Sequence, residues 1–291
     1  MKKFFVFAAV AIVALTACEN GMDEQNVPVM NQNDEQTEVT LTFSPYDMSA
    51  MTRGTARRAA TSISGLVTKL DVWITEGTNT IDVHQSSTDD DFGTVSVSLN
   101  RLKTYTLVAV AHKASGAATL TDGVIAFPDE KVTHAMIYQT TFSPGTTASL
   151  NCPMTRIVGM LRFEIADQVP TDAYTMRFEL GESFTRWNVT SSVGANTIER
   201  TTTFNGFSRA SDGTAAFTVY VIPTNLTDTD HMDITVRALK ENGDELESKT
   251  FADVPIKAGY KTTYHGEFFT TKGSSAGFTV NDWSEFDTVE Y

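Results

Sequence analysis

From Glu38 onward, apolar and polar positions alternate with a period of two. Val39, Leu41 and Phe43 are separated by threonines, and Leu70, Val72 and Ile74 enclose Asp71 and Trp73. The alternation returns at Val95, Val97 and Leu99; at Leu161, Phe163 and Ile165; at Met176, Phe178 and Leu180; at Phe217, Val219 and Val221; and at Ile234, Val236 and Ala238. β-Branched and aromatic residues in this pattern predict half-buried strands of antiparallel sheets. Turn chemistry separates them: Glu76-Gly77, Asp122-Gly123, Ser143-Pro144-Gly145, Asp212-Gly213 and Asn242-Gly243, the last suited to a type I′ hairpin. Helical periodicity is scarce, and residues 128–138, with Pro128 in the first turn, offer one short helix. The expected class is an all-β sandwich with short helical insertions.

Two passages each place a tyrosine after a short lysine-containing turn and then run into a strand. They are Leu102-Lys103-Thr104-Tyr105 and Ile256-Lys257-Ala258-Gly259-Tyr260. A turn-rich stretch, residues 144–153, lies between them. The chain therefore reads as two units, 37–153 and 154–291, with the boundary near Pro153.

The N-terminus differs from both. Lys2 and Lys3 precede an unbroken apolar run over residues 4–15. That run is too short to span hydrocarbon, which takes about 20 residues, and suits the core of a signal peptide that is removed. Leu15-Thr16-Ala17-Cys18 then resembles the bacterial lipobox, in which the cysteine is acylated and the chain is cut just before it. The expected segments are a signal peptide over 1–17 and a lipid anchor on Cys18. Residues 18–36 are acidic and poor in large apolar groups, which predicts a flexible stalk. Acidic residues directly after the cysteine also resemble a surface-export tag of Gram-negative anaerobes.

Charge narrows the partners. The chain holds 22 Lys and Arg against 36 Asp and Glu; without Lys2 and Lys3 the net charge moves from −14 to −16. Phosphate backbones are held by Lys and Arg, so nucleic acid is not an expected partner. The only other cysteine, Cys152, has no intrachain partner in the mature chain, so an ordinary hydrophobic core must carry stability.

Several of these passages together resemble the fimbrillin superfamily of surface lipoproteins, which includes fimbrial shaft subunits and related anchor or accessory subunits. They are the lipobox, the strand at Val39–Phe43 followed by Thr52-Arg53-Gly54, the strand after Lys103, the run from Pro153 to Ile165, Ile256-Lys257-Ala258-Gly259-Tyr260, and the closing Phe278-Thr279-Val280-Asn281-Asp282-Trp283. The resemblance covers nearly the whole mature chain. It implies two consecutive transthyretin-like β-sandwich domains and a lipid anchor in the outer membrane or a place in a fimbrium, with other fimbrial subunits as partners. In shaft subunits of that family, cleavage after an arginine releases the first strand, and a neighbour's C-terminal strand fills the groove. Here Val39, Leu41 and Phe43 would form the displaced strand. Arg53, or else Arg57 or Arg58, would be the cleavage point, and Phe278, Val280, Trp283 and Phe286 the donor side chains. Anchor subunits keep the lipid and stay uncut.

No catalytic constellation is expected. Gly273-Ser274-Ser275-Ala276-Gly277 matches G-x-S-x-G, but no histidine follows it. His84, His112, His134, His231 and His265 lack zinc-ligand spacing, and the carboxylates at 89–91 and at Asp228, Asp230 and Asp233 lack EF-hand spacing. No metal or cofactor is expected. The alternative to a fimbrial subunit is a monomeric surface lipoprotein that binds a glycan or host protein. Trp73, Trp187 and Trp283 are its stacking candidates; core packing or strand exchange explains Trp73 and Trp283 more simply, which leaves Arg186-Trp187-Asn188 as the one set to test for surface duty.

Overall fold

Alternation decides the architecture. A computed structural model describes residues 35–46, 62–145, 149–270 and 278–282, and these are almost entirely strand. The first half contains β1 (Gln36–Pro45), β2 (Lys69–Glu76), β3 (Asn79–Ser86), β4 (Thr94–Asn100), β5 (Tyr105–His112), β6 (Thr119–Thr121), β7 (Val124–Ala126), β8 (Ala135–Phe142) and β9 (Ser149–Arg156). The second contains β10 (Gly159–Ile165), β11 (Thr175–Asn188), β12 (Val193–Asn205), β13 (Ala215–Val221), β14 (Asp230–Leu239), β15 (Glu245–Ile256), β16 (Tyr260–Gly266) and β17 (Phe278–Asp282).

One strand order occurs twice. In the first half β1 lies between β4 and β9, while β3, β2, β5 and β8 run side by side. In the second, β10 lies between β13 and β16, while β12, β11, β14 and β15 run side by side. The first strand of each half is thus an interior strand, antiparallel to one neighbour and parallel to the other. These parallel pairs, β1·β9 and β10·β16, depart from the purely antiparallel expectation. Period-two alternation reports which face is buried and is blind to the direction of the partner.

Three apolar clusters fill the molecule. One is built on Val39, Leu41, Phe43, Leu70, Val72 and Leu107 in the first half. Another is built on Phe163, Phe178, Phe217, Phe251 and Tyr264 in the second. The third, with Trp73, Ile125, Phe127, Ile157, Trp187 and Tyr220, draws on both. Its linking element is the β6–β7 hairpin, inserted between β5 and β8, where β7 pairs with β11 of the second half.

Three local expectations change. The helix over 128–138 is a 3-10 turn, Pro128–Glu130, followed by β8, because Asp129 takes a left-handed φ of 52° that an α-helix cannot accommodate. Of the turn-rich stretch 144–153, residues from Ser149 on are strand β9, with Pro153 opposite Ser44. At Asn242-Gly243 only the glycine has positive φ (91°), so this is not a type I′ turn. Asp122 and Gly123, both positive at 50° and 74°, join β6 to β7 with the expected two-residue geometry.

Candidate functional site

The first strand is the feature with the most to lose or exchange. Val39, Leu41 and Phe43 point inward at 0–1% exposure, and the threonines between them face outward. The backbone of β1 is engaged on both sides, from Gln36↔Asn100 to Thr42↔Thr94 along β4 and from Thr40↔Ser149 to Pro45↔Met154 along β9. Its ends are tied as well: Arg101 N donates to Glu35 O, and Tyr46 N to Met154 O (both 2.8 Å). Taking β1 away would leave a slot with two facing rows of unpaired N–H and C=O groups and an apolar floor. Such a slot accepts an extended segment with apolar residues at alternate positions. Cys152 lines it opposite Phe43, and burial pushes its thiol up to about 12, so it serves as packing and not as a nucleophile.

Of the other residues singled out in the sequence, β17 places Phe278 opposite Tyr264 and Val280 opposite Thr262 on β16. Val280 is 43% exposed. Cys18, Arg53, Arg57, Arg58, Trp283 and Phe286 lie outside the described residues. Trp73 is buried in the third cluster. Trp187, the one ring singled out for surface duty, is wholly buried, paired in register with Ile125, because the β6–β7 hairpin covers β11 there. It cannot stack on a glycan.

Two polar clusters escaped sequence reasoning. Asp71, 1% exposed, receives His84 Nδ1 at 2.7 Å, His112 Nε2 at 2.9 Å and the Ala118 N–H at 2.8 Å. Ala114 N donates to His112 Nδ1, which fixes Nε2 as the protonated nitrogen facing the carboxylate. The available signal was an acid inside a strand whose neighbours on both faces are apolar. Farther along, His134 donates from Nδ1 to Leu66 O (3.1 Å) and accepts from Arg156 Nε at Nε2 (3.2 Å).

Burial, then the Arg156 charge, lowers the His134 pKa from its ordinary 6.5 to about 3. Between those values the unfolded chain binds a proton that the folded chain refuses, so stability falls as pH drops from 6.5 toward 3. Going from pH 7 to pH 5 is expected to cost about 2 kcal/mol from this residue. His134→Gln retains a donor for Leu66 and an acceptor for Arg156, and urea titrations across that range should show the slope reduced by that amount. An unchanged slope would exclude His134 as its source.

No protein-family model matches the chain, and no curated protein matches it. Solved structures do match. A proposed cell adhesion protein from Bacteroides uniformis is 15% identical with a TM-score of 0.49, over 86% of this chain and 100% of its own. A proposed polysaccharide-binding protein from Bacteroides thetaiotaomicron is 11% identical with a TM-score of 0.49, over 85% and 98%. A proposed adhesin from the same species is 12% identical with a TM-score of 0.48, over 84% and 96%.

Proposed function

We propose that the chain is a bacterial surface lipoprotein, acylated on Cys18, that serves as a fimbrial subunit or anchor and assembles by β-strand addition in support of adhesion. The observation that supports it is the seating of β1, an interior strand held by backbone pairing on both sides with alternate side chains in the core. A strand so held can be replaced by another extended segment of the same alternation without altering the rest of the sandwich. In the shaft form, cleavage after Arg53, Arg57 or Arg58 separates β1 from β2, and the C-terminal strand of a neighbour, with Phe278 and Val280 at alternate positions, takes its place. In the anchor form, β1 and the lipid stay and the chain ends the polymer. Adhesion, the role proposed for two of the Bacteroides proteins above, enters as part of this reading and is not carried by the likeness.

The test is gentle release of surface protein, electrophoresis with and without boiling, and intact mass of each band. Strand-added polymers survive detergent without heat, so a ladder that collapses to one band on boiling is expected. A mass beginning at Gly54, or after Arg57 or Arg58, identifies a shaft subunit. Acylated Cys18 through Tyr291 identifies an anchor. A single monomer band in the unboiled sample overturns the proposal.

A further inference from the structure

Outside the β1 slot, the four-stranded sheet β13-β10-β16-β17 has β13 and β17 as its outer strands, neither extended by a further strand among the described residues. Backbone direction along them follows from one hydrogen bond. Ala166 N donates to Gly266 O, so even-numbered residues of β10 face β16 and odd-numbered ones face β13. The β10·β13 register then turns Ala215, Phe217 and Val219 inward, and Ala216, Thr218 and Tyr220 outward. Arg200 caps one end of this outward row by donating to Tyr220 O, and Ala210 N caps the other at Thr214 O. Between the caps, the N–H and C=O groups of Ala216 and Thr218 meet no partner among the described residues. On the opposite edge, β16 presents Lys261 and Thr263 to Asn281 and Thr279, leaving the backbone of Phe278, Val280 and Asp282 outward.

The β13 edge opens into a groove of about 1080 Å³ bordered by Phe204, Phe207 and Phe217. Glu164 is held by Arg162 and His265, and Asp212 by Thr214. Arg209 lies over the Phe207 ring and donates to the carbonyls of Pro170 and Ala173, and its charge is among those that hold the Asp172 carboxyl below its ordinary range. The chain beyond Lys272 has no further Lys or Arg and carries Asp282, Glu285, Asp287 and Glu290. A groove of mixed lining, with three phenylalanines beside Arg162 and Arg209, thus faces one edge, and an acidic segment with an exposed Val280 follows the other.

We propose that the chain associates head to tail with a second copy, the β17 edge of one molecule adding to the β13 edge of the next. The directions agree: β17 is antiparallel to β16, β16 parallel to β10, and β10 antiparallel to β13, so β17 and β13 run parallel and a translated copy brings them together in parallel. The interface is heterologous, with different surfaces on each side, and therefore propagates instead of closing as a twofold dimer. Each edge offers only two or three residues, so the contact is small and the association concentration-dependent. The proposal shares with the reading above the premise that the chain assembles, but requires neither cleavage nor displacement of β1.

Proline at an outward-facing edge position removes one free N–H and leaves the inner ladder intact. Ala216→Pro should therefore close the acceptor edge and Val280→Pro the donor edge, each with an unchanged melting transition. In sedimentation velocity of the full mature chain, the parent should grow with concentration and each variant should stay monomeric. An equimolar mixture of the two variants should form a one-to-one dimer and stop there, since each supplies the edge the other lacks. A monomeric parent, a variant that still grows, or a mixture that stays monomeric overturns the inference. So does a groove that binds a glycan while Ala216→Pro self-associates normally. Detergent-resistant ladders report strand replacement at β1 alone, so they should be unchanged in Ala216→Pro whichever way the sedimentation result falls.

Discussion

Expressed as a chain beginning at Gly54, and so without β1, the protein is expected to lose the cooperative unfolding of its first half and to recover it when a peptide of residues 36–45 is supplied. Val39, Leu41 and Phe43 are almost fully buried. Burying such side chains contributes about 1.5–3 kcal/mol each, roughly 5–9 kcal/mol together. A domain's whole stability is about 5–15 kcal/mol. The backbone loss acts in the same direction, because β4 and β9 are left with facing unpaired edges. Near-ultraviolet circular dichroism during urea titration reads the loss, and the same signal titrated with peptide reads the recovery. A peptide with Leu41→Asp presents the same backbone but a charge at a position that is 0% exposed, and it should not rescue. A truncated chain that unfolds like the parent, or equal rescue by both peptides, would show that β1 is dispensable packing and would remove the basis for strand replacement.

How much of this was legible in the sequence depends on the range of the physics involved. The alternation at Val39, Leu41 and Phe43 predicts a strand and its buried face, because side-chain direction is set within the strand itself. That β1 sits between β4 and β9 is not local: its partners are Ser98 and Ser149, roughly 60 and 110 residues along, and nothing in the period names them. Trp187 shows the same limit from the other side. Flanked by Arg186 and Asn188 it resembles a surface position, yet a hairpin from the other half of the chain, at Ile125, buries it. Asp122-Gly123 was readable because the turn is closed by its own two residues. Asn242-Gly243 forms another turn because the loop has three residues, Glu241 to Gly243, closed by Lys240 N donating to Asp244 O and Gly243 N to Lys240 O.

Asp71 was missed for a related reason, and its replacement is expected to have the second largest effect. As an isolated letter between Leu70 and Val72 it reads as the polar face of a half-buried strand, but β2 is covered on both faces. A carboxylate there persists only because three N–H groups converge on it. Asp71→Ala leaves His112, itself 0% exposed, and the Ala118 amide without an acceptor inside the core. Breaking one side of a buried ionic or hydrogen-bonded pair in this way costs about 3–5 kcal/mol. His84 is 47% exposed and can turn to water, so His84→Ala should cost under about 1 kcal/mol. Asp71→Asn keeps one acceptor oxygen but turns an amide donor toward a donor, and should fall between the two. Denaturant midpoints for the three variants would order them. A loss in Asp71→Ala no larger than that in His84→Ala would mean that water enters the site and that the carboxylate does not hold β2, β5 and the start of the inserted hairpin together.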